Sequence, residues 1–168
     1  MRGTVRAVQS IVLVVLLIAY VGFGAFASPI LESSVYGLST QGVAPVSVSG
    51  NDTVGTGDYK VDIGDDPGEL DEDDFDEWQT KVLSNGAELK YKVSEDGKKL
   101  YWSVKYRYVT EVRVKGSNAY NRYSYTGNFA NRLSDGMLIS PLKNGKTPEI
   151  SHLTFVFGNP ITTTAATT

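Results

Sequence analysis

The chain has 168 residues, 41% hydrophobic and 21% charged, with a net charge of −3, which suits one globular domain with extensions. It holds no cysteine and a single histidine, which excludes a disulfide framework, a thiolate metal site and a cysteine nucleophile and leaves a transition-metal site poorly supplied. The charge is uneven: Asp58 to Glu77 carries eleven Asp and Glu against one base, Lys60, whereas Trp78 to Phe157 carries thirteen Lys and Arg against six Asp and Glu, so an acidic leader, neutralising partner or solvated linker, precedes a basic region.

Arg2 and Arg6 supply a positive N-terminal end, and the 17 residues from Ile11 to Ala27 are uncharged and apolar. The run ends in Ala25-Phe26-Ala27, the small-x-small pattern that signal peptidase requires, and Ser28-Pro29 follows. These three parts predict a signal peptide over residues 1–27, with the mature chain beginning at Ser28. A run of this length also lies near the lower limit of about 17–25 residues for a spanning helix, so an uncleaved membrane anchor is the alternative. Arg2-Gly3 loosely resembles the leader of archaeal type IV pilins, but Arg6 interrupts the stretch that should be apolar after such a cleavage site. In the signal and anchor readings the positive flank stays inside. The rest of the chain is then secreted or at the cell surface, with membrane contact only through this segment.

Residues 28–57 are rich in Ser, Gly, Val and Thr without a helical period. They read as a flexible arm with one strand at Ala44–Val48. Asn51-Asp52-Thr53 matches the N-glycosylation pattern. Residues 58–80 form the acidic leader, in which Tyr59, Val61 and Ile63 alternate with Lys60 and Asp62 as in a first strand. Leu70 to Trp78 is expected as a short acidic helix. An EF-hand begun at Asp71 fails, because Phe75 occupies the fifth position and Glu77 lies where the loop departs from its glycine pattern. A looser calcium site among these carboxylates is the one cofactor left open; otherwise none is expected.

From Lys81 the strand signals strengthen. Ser84-Asn85-Gly86 predicts a hairpin with a type I′ turn, Glu88 to Val93 alternates, and Glu95-Asp96-Gly97-Lys98 makes a second turn. Leu100, Trp102, Val104, Tyr106 and Tyr108 are expected on one apolar face, opposite Tyr101, Ser103, Lys105 and Arg107. Val112 and Val114 resume the pattern after a break near Thr110. Gly116 to Tyr120 reads as a loop, Asn121–Tyr125 as a strand, Pro141 to Pro148 as a loop, and Leu153, Phe155 and Phe157 as the face of a closing strand. Short strands separated by polar turns predict an all-β fold, a small antiparallel β-sandwich or barrel-like domain over residues 81–158. The predicted core is Trp102, Val104, Val112, Val114, Leu153 and Phe155. Residues 159–168 are a Thr-rich tail.

Three segments resemble an uncharacterised domain family of secreted and surface proteins of bacteria and archaea. Leu100-Tyr101-Trp102-Ser103 resembles its W-S strand. Val112-Arg113-Val114-Lys115-Gly116-Ser117-Asn118, running on to Asn121-Arg122-Tyr123-Ser124-Tyr125, is similar to its V-x-V-K-G-G-N…N-x-Y-x-Y stretch. Asp135, Leu138 and Pro141, then Asn144-Gly145-Lys146 and Ile150-Ser151-His152-Leu153-Thr154-Phe155, are similar to its D-x-x-L-x-x-P…N-G-K…I-S-H-x-x-F ending. The resemblance covers residues 88–157. It departs at Ser117, where the family usually has a second glycine needed for a tight turn, and at Val156, which replaces a common cysteine. It implies an extracellular β-domain with no activity to carry over. It also implies one shared structural corner built by Lys115, Gly116, Asn118, Tyr123, Tyr125, Asp135, Pro141, Ser151 and His152, with His152 bonding a backbone group or Asp135.

Nothing in the sequence composes a catalytic set. Ser151 and His152 are adjacent on a strand and point to opposite faces, so they cannot pair directly. No nucleophile-elbow, phosphate loop or dinucleotide fingerprint occurs, and the chain is expected not to be an enzyme. Seven tyrosines between Tyr91 and Tyr125 (Tyr91, Tyr101, Tyr106, Tyr108, Tyr120, Tyr123 and Tyr125) either pack the sheets or form an aromatic face for sugars or another protein. Export argues against nucleic acid as partner. The expected role is structural or adhesive, as a subunit of an extracellular layer or filament, with itself or a surface polymer as partner; a glycan- or small-ligand-binding module and a pilin-like filament subunit are the alternatives. The arm from Leu31 to Val54 is nearly uncharged and β-branched, so it is expected to add a strand either to a neighbouring copy or to its own sheet.

Overall fold

The computed structural model describes residues 37–64 and 69–161. The signal-like segment 1–27, the beginning of the arm and the end of the tail lie outside the described residues. No helix among the described residues is long and apolar enough to cross a membrane.

Among the described residues nine strands form two antiparallel sheets: β1 (Val46–Ser49), β2 (Tyr59–Asp62), β3 (Gln79–Val82), β4 (Glu88–Val93), β5 (Leu100–Lys105), β6 (Arg107–Gly116), β7 (Ala119–Ser124), β8 (Ser134–Leu138) and β9 (His152–Pro160). One sheet has the order β1-β7-β6-β9-β2 and the other β3-β4-β5-β8. Their inner faces pack together as a β-sandwich. Strict alternation builds that interior: Leu89, Tyr91 and Val93 on β4 and Leu100, Trp102 and Val104 on β5 point in, as do Val112 and Val114 on β6 and Leu153 and Phe155 on β9. Trp102 sits at the centre, its ring 5.5 Å from Tyr125 and 6.2 Å from Phe155, both edge-on. Its indole N–H is buried without a well-formed hydrogen bond among the described residues.

The long apolar face expected from Leu100 to Tyr108 is broken at Tyr106. This residue has φ 69 and is 61% exposed. It turns the chain out of one sheet and into the other, so Val109, not Tyr108, faces the core. The break expected near Thr110 is a bulge between Val109 and Glu111. The extra residue brings Val109 and Val112, an odd number of positions apart, onto the same buried face.

Several local expectations are corrected. Leu70 to Trp78 holds a single 3-10 turn, Glu72–Asp74, capped by the Asp71 side chain, instead of a helix. Leu70 and Phe75 are drawn to the sandwich core, and a run of like charges gives no apolar stripe for a longer helix. The Ser84-Asn85-Gly86 turn is a three-residue loop with only Gly86 at positive φ, not type I′, which needs two such residues. The turn from β6 to β7 is a tight two-residue one with Ser117 itself at φ 62, so the serine does not abolish it.

The arm holds the strand expected near Ala44–Val48, as β1, and takes the own-sheet alternative; what differs is that residues 37–57 are not a loose linker. Its strand pairs antiparallel with the chain's own β7, Val46 opposite Arg122 and Ser49 opposite Ala119. Residues 37–57 are thus built into the domain, and the compact unit starts at Gly37 instead of Lys81.

Candidate functional site

Two networks of buried polar groups in the sandwich each grip residues of the N-terminal arm. The first centres on Asp135. A bulge on β8, with Met137 at φ 57 and exposed, lets both Asp135 and Leu138 face inward opposite Trp102 and Leu100. Asp135 Oδ1 accepts from Thr40 Oγ1 (2.9 Å), the Gln41 amide (3.0 Å) and the Gly136 amide (2.8 Å), and Oδ2 accepts from the Tyr125 hydroxyl (3.0 Å). Four donors satisfy a carboxylate that is only 6% exposed. Burial, then the adjacent Asp135 charge, pushes the Tyr125 hydroxyl far up, so it is held as a donor.

Tyr123 lies beside this network. Its hydroxyl donates to the Gly37 carbonyl (2.9 Å) and accepts from the Ile139 amide (2.9 Å). Burial raises it to about 12. Tyr123 on β7 and Tyr125 just past its end point into the same seam and bind the arm at Gly37 and, through Asp135, at Thr40 and Gln41.

The second network centres on Asp52, whose side chain is 2% exposed. His152 Nε2 donates to Oδ1 and Thr154 Oγ1 donates to Oδ2, each at 2.5 Å. His152 and Thr154 are two apart on β9 and so share a face. Burial raises the Asp52 pKa, but the hydrogen bonds from Thr154 and His152 and the charges of His152 and Arg113 outweigh it and hold the carboxyl below its usual range. An ionised carboxylate only accepts, so the proton lies on Nε2 of His152. Around it Lys115 Nζ donates to Asn51 Oδ1 (2.6 Å) and Arg113 Nη1 to the Thr53 carbonyl (2.6 Å). Three consecutive arm residues, Asn51 to Thr53, are therefore gripped by side chains of β6 and β9.

The expected corner is only partly assembled. Lys115 pairs with His152 across β6 and β9, and Ser151 donates its amide to the Lys115 carbonyl at 2.8 Å. Gly116 packs so closely that an added Cβ would lie 2.6 Å from Ser140 Oγ and 2.7 Å from the Glu149 carbonyl, which accounts for glycine there. Pro141 lines a shallow hollow with Gly116 to Ala119, and the Asn118 carbonyl accepts from Gly50. Asp135, Tyr123 and Tyr125 belong to the other network, and the partner of His152 is Asp52, not Asp135 or a backbone group. The Ser151 hydroxyl is exposed and faces the Lys115 carbonyl at 3.4 Å, so serine and imidazole do not meet.

Sequence reasoning missed Asp52, Thr40 and Gln41. One signal was present: Asp52 is the only charged residue between Ser33 and Gly57, and a lone charge in an apolar arm needs a partner once the arm is packed. Of the seven tyrosines, Tyr91, Tyr123 and Tyr125 are core, Tyr101, Tyr108 and Tyr120 half-buried, and Tyr106 exposed, so there is no single aromatic face. Glu72, Asp73, Glu95, Asp96 and Glu149 line one acidic hollow, but no group of three or more described acids and histidines is placed to hold a metal ion. No family model, curated protein or solved structure matches the chain.

Proposed function

We propose that this chain is an exported surface protein with a structural or adhesive, non-catalytic role, a subunit of an extracellular layer or filament. The apolar leader with its positive flank and Ala25-Phe26-Ala27 end supports the placement outside the cytoplasm. The observation that carries the role is what the buried acids, hydroxyls and imidazole are used for. Asp135 (held by Tyr125), Tyr123, His152 and Thr154 are directed at residues 37–53, Asp52 among them, and fasten the segment that leads from the N-terminal leader to the sandwich. Multiple charge-assisted bonds at the root of a domain make a stiff attachment, which suits a domain held at a surface under load. A domain built this way transmits force applied at residue 37 into both sheets.

The test is fractionation of the native host with protease treatment of intact cells, N-terminal sequencing and sedimentation of the recovered protein. The expected result is protease-accessible protein beginning at Ser28 that sediments as an assembly. Recovery in the cytoplasm, or as a monomer with no attachment to the cell envelope, would overturn the reading. Met1 retained on accessible protein would replace the cleaved signal by an anchor.

A further inference from the structure

The outer face of the four-stranded sheet carries a row of side chains that neither network uses. Trp78, just ahead of β3, lies beside Lys92 of β4, which pairs with Tyr101 of β5. All three point away from the core, since their alternating neighbours Gln79, Tyr91 and Trp102 are less exposed or buried. Trp78 is 53% exposed, unusual for the largest apolar side chain. The Lys92 ammonium stands between the rings, 5.9 Å from the centre of Trp78 and 5.7 Å from that of Tyr101. The Tyr101 ring lies over Gly136 of β8, where an added Cβ would come within 2.5 Å of it. The absence of a side chain at 136 leaves room for that ring to settle on the sheet.

We infer that this row, Trp78–Lys92–Tyr101, is a binding face for a polysaccharide chain bearing acidic sugars. Two observations select that chemistry. First, the exposed Trp78 ring and the half-buried Tyr101 ring, two strands apart, are separated by roughly 10 Å from strand spacing alone. That separation matches an extended ligand of at least two rings better than a compact one, and aromatic faces take the C–H side of a sugar ring. Second, the face between them is basic. Lys90, Lys92 and Lys105 project from it; Asp76 pairs with Lys92 at 2.6 Å and Glu88 with Lys105 at 2.8 Å, while Lys90 forms no ion pair among the described residues. With Lys90 beside it, the Lys92 ammonium between two aromatic platforms leaves one positive charge beyond that balanced by Asp76 to meet the carboxylate of a uronic acid, while Thr80 and Ser103 supply hydroxyls for the remaining sugar oxygens. The inference rests on the surface reading above by naming what an adhesive or layer protein would hold.

The test is affinity electrophoresis of the full-length exported protein through gels containing polygalacturonate, a neutral glucan or polyglutamate, with thermal melting of each variant. The expected result is retardation by polygalacturonate, weakened about tenfold by Trp78→Ala and by Lys92→Met, with melting lowered by no more than about 4 °C, since Lys92→Met removes a single surface ion pair with Asp76. Absence of retardation, equal retardation by polyglutamate, or full binding by both variants would overturn the inference. So would concentration-dependent self-association abolished by Trp78→Ala, which would assign the face to a second copy. Binding by purified protein that proves cytoplasmic would sink the surface role and leave this site standing; envelope protein that ignores polygalacturonate would do the reverse.

Discussion

Replacing Asp135 should release the first part of the arm, residues 37–41, from the sandwich, and the two obvious substitutions should do so to different degrees. In Asp135→Asn one oxygen still receives Thr40, Gln41 and Gly136, but the charge is gone and an amide faces the Tyr125 hydroxyl. Bonds to a charged acceptor contribute about 1.5–3 kcal/mol against 0.5–1.5 for neutral ones. Relief of the buried charge offsets part of that loss. A net destabilisation of about 1–3 kcal/mol is expected. Asp135→Ala strands all four donors and should cost about 3–5 kcal/mol, near the upper end for single substitutions. At roughly 4 °C per kcal/mol for a domain of this size, that lowers the melting temperature by about 12–20 °C. Urea unfolding gives the energies, and hydrogen exchange localises them: protection of the Gln41 amide should fall more than that of β4 or β5. A cycle with Tyr125→Phe should show coupling, since the two groups touch at 3.0 Å. If both Asp135 variants unfold within about 0.5 kcal/mol of wild type, or Gln41 exchange is unchanged, the hub does not hold the arm.

Three more predictions address the rest of the molecule. Because the folded Asp52 carboxyl is held below its unfolded value, its stabilisation is present above the unfolded pKa and is lost as pH falls through the lower folded one; wild type should therefore lose more stability than Asp52→Asn on acidification below about pH 4, and parallel acid-unfolding curves would contradict this. Ser117→Gly should stabilise by about 0.5–1 kcal/mol, since serine at φ 62 carries a left-handed penalty that glycine lacks; a lower urea midpoint would contradict it. Trp102→Ala should destabilise by about 3–5 kcal/mol through cavity formation, and Trp102→Phe by clearly less, because it also removes an indole N–H that is buried without a well-formed hydrogen bond; equal losses would show that this N–H has no part.

How much of this was legible in the sequence follows from the range of the interactions. Leu89, Tyr91 and Val93, or Trp102 and Val104, declare an inward face by period two alone, and so the two-sheet class was readable. The crossing at Tyr106 was not: a tyrosine at positive φ breaks the alternation with no local signal, and the pattern through Tyr108 continues as though the strand did too. Strand β8 was missed because Ser134-Asp135-Gly136 reads as a turn, and only the bulge at Met137 lets it act as an edge strand. The lock on His152 was invisible for a different reason. Its partner lies 100 residues away, in a stretch whose composition resembles a linker.

That last error bears on what the domain is. Composition marks residues 37–57 as mobile because Ser, Gly and Thr bury little apolar surface. The arm is held by another means, polar groups on the sandwich that reach out to its backbone and to its sole charge. Of its apolar residues only Val43 is fully buried, while Val46 and Val54 remain exposed. Order in this segment thus depends on Asp135, Tyr123 and the His152–Asp52 pair more than on hydrophobic burial. An arm held by directional bonds releases in discrete steps when those bonds break, whereas one held by apolar area peels gradually. The two fastenings lie on opposite flanks of β1, at residues 37–41 and 51–53, so the strand between them stays seated on β7 as long as either network is intact.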